Sequence, residues 1–424
     1  MKNIRIFLTI LAWIPVANAQ RILIINGTAH IGNGEVVETA AIGIAEGKIL
    51  FVKNSLTNAV QRKDWDTIID AQNQHVYPGL VAANSTLGLT EIDAVRATRD
   101  FNDVGELNPH VRTQVAFNVE SRVIETVRTN GVMLTQSTPR GGTISGSSAV
   151  MFLSGWNWED ATVLADDGIH VNWPSSTQGG GWWAEPAPKT RNTNYQKEKE
   201  EIMDFFTLAE VYAKGAKSID DLRLEAMKAC FVGTKRVYFH ADGMQQILDI
   251  IEFVEKFNLK FPVIIGGYEA HMVGKRLKDA KIPVMLNRVH MLPEREEDDV
   301  NLPYAMPALL QKQGILFCLQ NAGDMEAMNA RNLPFQAGTA MAYGLTEEEA
   351  LVSVSLNACK IMGIDKEFGS IESGKSATLF ISKGPALDMK TNQVSTLIFH
   401  GQIVSSENFQ LKLYQKYKKK YQGK

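Results

Sequence analysis

From residue 236 onward, short apolar runs alternate with stretches of helical spacing. Val237-Tyr238-Phe239-His240 is one such run, and 245–258 then places Ile247, Leu248, Ile251 and Val254 on one helical face. Residues 261–267 form the next run, and 270–280 the next helix, with Val273 and Leu277 on one side. Residues 282–286 are a strand, 304–313 a helix ended by Gly314, and 315–319 another strand. Two more helices come next, ending in 350–363. Nearly all-apolar strands alternating with helices predict a parallel sheet buried beneath helices. Upstream, Val115, Val119, Val123 and Val127 predict a helix over 114–130, and 131–135 the strand after it. Between 141 and 200 the pattern breaks. Gly141-Gly142-Thr143-Ile144-Ser145-Gly146-Ser147 and the glycines at 179–181 read as loops, with Trp156, Trp158 and Trp173 clustered nearby.

The two ends differ from the middle. Residues 20–77 give short strands around the tight turns Asn26-Gly27 and Glu46-Gly47, and 369–404 repeat that style. Neither piece has enough strands to bury a face alone. Pairing them gives one discontinuous β-sandwich, 20–77 plus 369–410, enclosing 78–368. That middle piece is close to the ~250 residues of a (β/α)8 barrel. The fold class expected is therefore α/β: a distorted (β/α)8 TIM barrel with a discontinuous N-/C-terminal β-sandwich. A doubly wound nucleotide-binding sheet competes poorly, because neither G-x-G-x-x-G nor G-x-x-x-x-G-K-[ST] occurs.

Composition refines this reading at a few points. The 424 residues carry a formal net charge of -3, which gives no reason to expect nucleic acid as partner. Lys2, Arg5, the apolar run 6–16 and Ala17-Asn18-Ala19 read as a signal peptide over 1–19, so export with a mature start near Gln20 is expected. No other stretch is long enough to span a bilayer, which takes ~20 apolar residues. Residues 411–424 are basic and read as a solvated, frayed tail. The cysteines Cys230, Cys318 and Cys359 form no C-x-x-C pair and read as buried thiols. The sequence leaves self-association open.

In a parallel barrel the chemistry sits at the carboxyl ends of the strands. The opening strand delivers Asn84 and Thr86, with His110 in the loop beyond it. Later strands deliver His240 and Asp242, then Gly266, Gly267, Glu269 and His271, then Asn287, Arg288 and His290, and finally Gln320, Asn321 and Asp324. Arg331 is a candidate for holding a substrate carboxylate. The remaining histidines, His30, His75, His170 and His400, fall outside this mouth and read as structural.

Val76-Tyr77-Pro78-Gly79-Leu80, Gly131-Val132, the segment from Ser355 through Ala358-Cys359 to Gly363, and Gly369-Ser370-Ile371-Glu372-Ser373-Gly374-Lys375 together resemble the metal-dependent amidohydrolase superfamily, in its exported imidazolonepropionase-like group. The resemblance spans nearly the whole mature chain. It implies a hydrolase acting on amide or cyclic amide C–N bonds of a small molecule. It also implies a His-x-His metal pair on the first strand, where this chain has Asn84 and Thr86. It places the sixth-strand histidine at or beside Gly266-Gly267, so that His271 matches with a loop shift, and the eighth-strand acid near Asn321, with Asp324 three residues on. The ligand set that the resemblance leaves is His240, His271 and Asp324, enough for at most one divalent metal, zinc by preference. Asp324, Asn84, Thr86 and Arg331 are then the catalytic candidates. The alternative is a catalytically degenerate relative that binds a ligand or partner in the periplasm.

Overall fold

The computed structural model describes residues 20–182, 185–215 and 220–422. The expected export segment at 1–19 lies outside them. The chain opens with β1 (Ile22–His30), β2 (Val36–Ala45), β3 (Lys48–Asn54), β4 (Thr67–Asp70) and β5 (His75–Pro78). β1 and β2 pair antiparallel, as do β2 and β3 across the Glu46-Gly47 turn, while β4 and β5 lie parallel to β1. The barrel strands begin with β6 (Leu80–Ser85), β7 (Val132–Ser137), β8 (Ile144–Phe152) and β9 (Thr162–Asn172). A protruding hairpin, β10 (Thr177–Trp182) and β11 (Glu185–Arg191), precedes β12 (Arg236–Ala241), β13 (Pro262–Gly266), β14 (Val284–Leu286) and β15 (Phe317–Leu319). β16 (Leu379–Ser382), β17 (Val394–Phe399) and β18 (Gln402–Val404) end the strand series.

Sheet order β6-β7-β8-β9-β12-β13-β14-β15 makes an eight-stranded barrel, closed by a parallel bridge from Ala83 to Gln320. Helix α1 (Arg122–Arg128) connects β6 to β7; α2 (Tyr195–Ala213) and α3 (Leu222–Val232) precede β12. The later crossovers are α4 (Met244–Phe257), α5 (Gly274–Ala280) and α6 (Leu302–Gln313). After β15 come α7 (Glu326–Asn329), α8 (Leu333–Ala342), α9 (Glu347–Ser353) and α10 (Leu356–Met362). The distorted (β/α)8 fold read from the alternation is the one found.

Its distortion lies in β8, which runs antiparallel to both β7 and β9. Residues 144–147 are thus strand, not the loop that their glycines and serines suggested. Short side chains let this strand sit buried on both faces, with Ser147 and Ser148 almost fully enclosed. The helix expected over 114–130 begins only at Arg122. The Ser121 hydroxyl accepts from the Val123 N–H and so sets its start, and Val115 lies in the separate short 3-10 turn Thr113–Ala116, 54% exposed. The expected tryptophan cluster disperses: Trp156 is at the surface, Trp158 packs against the core and Trp173 is buried.

The terminal strands form one sheet, β18-β17-β16-β5-β1-β2-β3, in which β5 carries β1 on one edge and β16 on the other. The β2–β3 turn then meets the chain just before β16, through backbone bonds from Ile49 to Lys375 and from Ala377 to Gly47. The sheet therefore curls on itself around an apolar filling that includes Ile24, Ile42, Ile44, Val76, Leu379 and Ile398. Residues 409–422 are helical, not frayed: α11 (Phe409–Gln422) is capped by Asn408, and Gln410 accepts from Thr126 on α1 at 2.9 Å. All three cysteines are buried free thiols. No helix among the described residues is long and apolar enough to cross a membrane.

Candidate functional site

A cavity of about 1220 Å³ opens at the carboxyl ends of the barrel strands. Asn84, Thr86, Arg140, Trp173, His240, Asp242, Asn287, Arg288, Gln320 and Asp324 are among its lining residues. The floor is built on the end of β6. Asn84 has φ +47°, a left-handed conformation inside a strand, and the β6–β7 register shifts beside it. Its backbone is held on both sides: the Asn84 N–H donates to Gln136 Oε1 at 3.0 Å, and Arg140 Nη2 donates to its carbonyl at 3.0 Å. Arg140 is itself paired with Glu326 at 3.0 Å.

From Asn84 a row of side chains crosses the barrel. Asn84 Nδ2 donates to Gln320 Oε1 at 3.4 Å, Gln320 Nε2 to Asn287 Oδ1 at 2.9 Å, and Asn287 Nδ2 to Asp242 Oδ1 at 2.8 Å. Among the described residues the Asp242 carboxylate accepts through Oδ1 alone, from Asn287 and from the Tyr268 N–H at 3.4 Å. Desolvation raises the Asp242 pKa to about 6, and the nearby Glu294 adds to the effect. The loop that carries Asp242 is clamped by Gln246 on α4. Gln246 Oε1 accepts from the N–H groups of Asp242 and Gly243, and Nε2 donates to the Pro174 carbonyl at 2.8 Å.

Gly266, at the end of β13, makes the space that Asp242 uses. It has φ +107°, and a Cβ there would lie 2.5 Å from Asp242 Oδ1. A histidine at this strand end and the present position of Asp242 exclude one another.

His240 Nε2 lies 3.0 Å from His170 Nδ1, and His170 is fully buried and stacked on the Tyr238 ring. The Tyr238 hydroxyl and Gln136 Nε2 both donate to Asp167 Oδ2 at 2.7 Å, with Arg236 at 3.6 Å from the other carboxylate oxygen. Burial, reinforced by the Arg140 charge, pushes the His240 pKa down to about 3, so its imidazole is neutral.

The metal set expected from the resemblance is not brought together. His240 and Asp324 both line the cavity, but His271 is outside its lining, on the short helical turn Ala270–Val273 after β13. Asp324 is exposed at the rim, and its carbonyl accepts from Asn329. Among the described residues, no three His, Cys, Asp or Glu side chains form a group able to hold a metal ion. The donor chemistry agrees. Asn84, Thr86 and Gln320 offer neutral oxygens, poor partners for zinc, and one nitrogen of His240 is engaged by His170. The residues present do not fit the family's metal. Arg331 is exposed and outside the cavity lining, its carbonyl accepting from Asn130. His110 and His290 are also exposed, and the latter bonds Thr339.

Position at a strand end is enough to single out Asp242, Asn287, Arg288 and Gln320. The ligand set implied by the resemblance falls on His271 and Asp324 instead. His170 reads as structural in the sequence because its partner, His240, is 70 residues away. The signal available was its place near the end of an apolar stretch at 168–171.

The same architecture occurs in known structures. A crystal structure of an amidohydrolase from Thermotoga maritima MSB8 is 26% identical, with a TM-score of 0.78, covering 91% of this chain and 99% of that one. A Xaa-Pro dipeptidase with bound methionine in its active site shares the fold at 14% identity and TM-score 0.56, covering 91% of this chain and 100% of its own. A zinc-bound adenosine deaminase from Xanthomonas campestris does so at 13% identity and TM-score 0.53, covering 94% of this chain and 97% of its own. No curated protein matches. A profile described as the amidohydrolase family matches residues 191–404, about half of the chain. The chain belongs to the amidohydrolase family, hydrolases that act on carbon–nitrogen bonds.

Proposed function

We propose that this protein hydrolyses the C–N bond of a small amide or cyclic amide held in the mouth cavity, with Asp242 as the proton carrier. The observation that carries this reading is the placement of Asp242. It sits at a strand end, with one carboxylate oxygen fixed by Asn287 and the other unbonded among the described residues. In its ionised form Asp242 takes a proton from water as the water oxygen bonds to the substrate carbonyl carbon. As the C–N bond breaks, the same proton passes to the departing nitrogen. Arg140 and Arg288 on the cavity lining favour negative charge developing on the carbonyl oxygen. No metal is assigned a part, because the donors at the family positions do not fit one.

The test is Asp242→Asn, which keeps the acceptor facing Asn287 and removes the base. Hydrolysis across a panel of lactams, N-acyl amino acids and dipeptides is expected to fall by about 10²–10⁴-fold with the thermal midpoint nearly unchanged. In the parent, kcat/KM should rise with pH through about 6 and level off above it, because the ionised carboxylate is the active form. Unchanged turnover in the variant, or activity abolished by a chelator, overturns the assignment.

A second reading, binding without turnover, is favoured by the uncharged floor from Asn84 to Gln320. Panel members that bind the parent and are recovered intact would select it.

A further inference from the structure

The floor of the cavity contains an acceptor with nothing to accept. Asn84 is 2% exposed, and its Oδ1 has no hydrogen-bond partner among the described residues. Thr86, 1% exposed, has an unpartnered hydroxyl two positions along and on the same cavity lining. Buried polar atoms are nearly always paired, and leaving one unpaired is destabilising.

The direction of the side-chain row fixes which atom is left over. At one end Asp242, when ionised, only accepts, so Asn287 must turn its nitrogen toward it. At the other end Gln320 Oε1 is pinned by the Ala322 backbone N–H at 2.7 Å. Asn84 must therefore face Gln320 with its nitrogen and leave its oxygen free. That oxygen accepts and cannot donate.

Backbone strain points to the same residue. Asn84 adopts a left-handed φ within a strand, and two side chains from the β7 end hold it there. Strain of this kind is retained where the surrounding structure enforces it, characteristically at binding sites.

We infer that Asn84 and Thr86 form a metal-free recognition site for a neutral ligand group that presents an N–H beside a C=O, the N–H donating to Asn84 Oδ1 and the carbonyl accepting from the Thr86 hydroxyl. Where the resemblance puts a metal grip, this chain reads a hydrogen-bond pattern. The inference deepens the proposed function by naming the group that the floor selects, and it rests on the same cavity. It does not require turnover.

The experiment compares 2-pyrrolidinone with N-methyl-2-pyrrolidinone by saturation-transfer NMR and thermal midpoint, on the parent, Asn84→Gly and Asp242→Asn. Glycine suits the left-handed backbone and removes the acceptor, together with the nitrogen that donates to Gln320. The parent should bind the N–H lactam at least about tenfold more tightly than its N-methyl analogue, since the analogue leaves the buried oxygen unpaired. Asn84→Gly should lose that preference while Asp242→Asn keeps it, and zinc chloride alone should neither raise the midpoint nor displace the lactam. Equal binding of the two lactams, binding of neither, or an unchanged preference in Asn84→Gly overturns the inference. So does stoichiometric zinc binding that expels the lactam. Selective binding with no hydrolysis in any assay would sink the role given to Asp242 and leave the floor standing.

Discussion

At the scale of single residues, the site is defined by exchanges of one side chain for another. Gly266 stands at the strand end where the resemblance expects a histidine, and the vacated volume is filled by the Asp242 carboxylate. The Cβ of Gly266→Ala would meet Asp242 Oδ1 at 2.5 Å and the Ala241 carbonyl oxygen at 2.9 Å, in a backbone conformation that alanine resists. Destabilisation of about 2 kcal/mol or more is expected in denaturant unfolding, together with loss of any hydrolysis. A variant as stable and as active as the parent would show that Asp242 does not depend on that space. This exchange was not legible in the sequence. A glycine at a strand end reads as a turn, and only the fold shows which carboxylate it admits. His240, by contrast, was legible at a strand end, but its partner was not. A contact across 70 residues leaves no local trace.

At the scale of elements, apolar alternation was informative wherever strand and helix each bury one continuous face. β12, α4, β13, β14, α6 and β15 fall within a few residues of the positions that the pattern assigns. It was uninformative for β8, whose small and polar residues are buried by pairing with β7 and β9 and not by their own hydrophobicity. The N-terminus of α4 shows how an element positions chemistry. Gln246 accepts the Asp242 and Gly243 N–H groups, and Glu269 accepts the Met244 N–H at 2.6 Å, so the strand-to-helix turn bearing Asp242 is tied at successive amides. Gln246→Ala would strand these N–H groups and the Pro174 carbonyl. A cost of about 1–3 kcal/mol in stability is expected. Hydrogen exchange should be faster at Asp242 and Gly243 than in the parent, and protection equal to the parent's would remove Gln246 from this role.

At the scale of the whole molecule, the barrel was legible because its helices and strands alternate over a span of the right length. The joining of both chain ends into one β domain was legible because neither end has enough strands by itself, but the expected sandwich is a single curled sheet. The chemistry was less so. A family template locates a mouth but not the side chains that have been traded within it, and here the traded residues Asn84, Thr86 and Gly266, together with Gln320, decide what the mouth can hold.

The double pairing of β5 also bears on how the chain is made. About 300 residues separate Pro78 from its partner Leu379, so β5 waits with one edge open until the last strands leave the ribosome. At ~5–20 residues per second that interval is on the order of 15–60 s, long enough for an exposed edge to find the wrong partner. Phe380, which stacks on Tyr77 with ring centroids 5.4 Å apart, arrives equally late. A chain ending before Leu379 is therefore expected to aggregate during synthesis. Light scattering of the translated product checks this, and a monodisperse, cooperatively unfolding truncation would show that the barrel matures without its last strands. Synthesis is thus a race that the C-terminal strands finish, and an open edge on β5 is the interval in which a chaperone has something to hold.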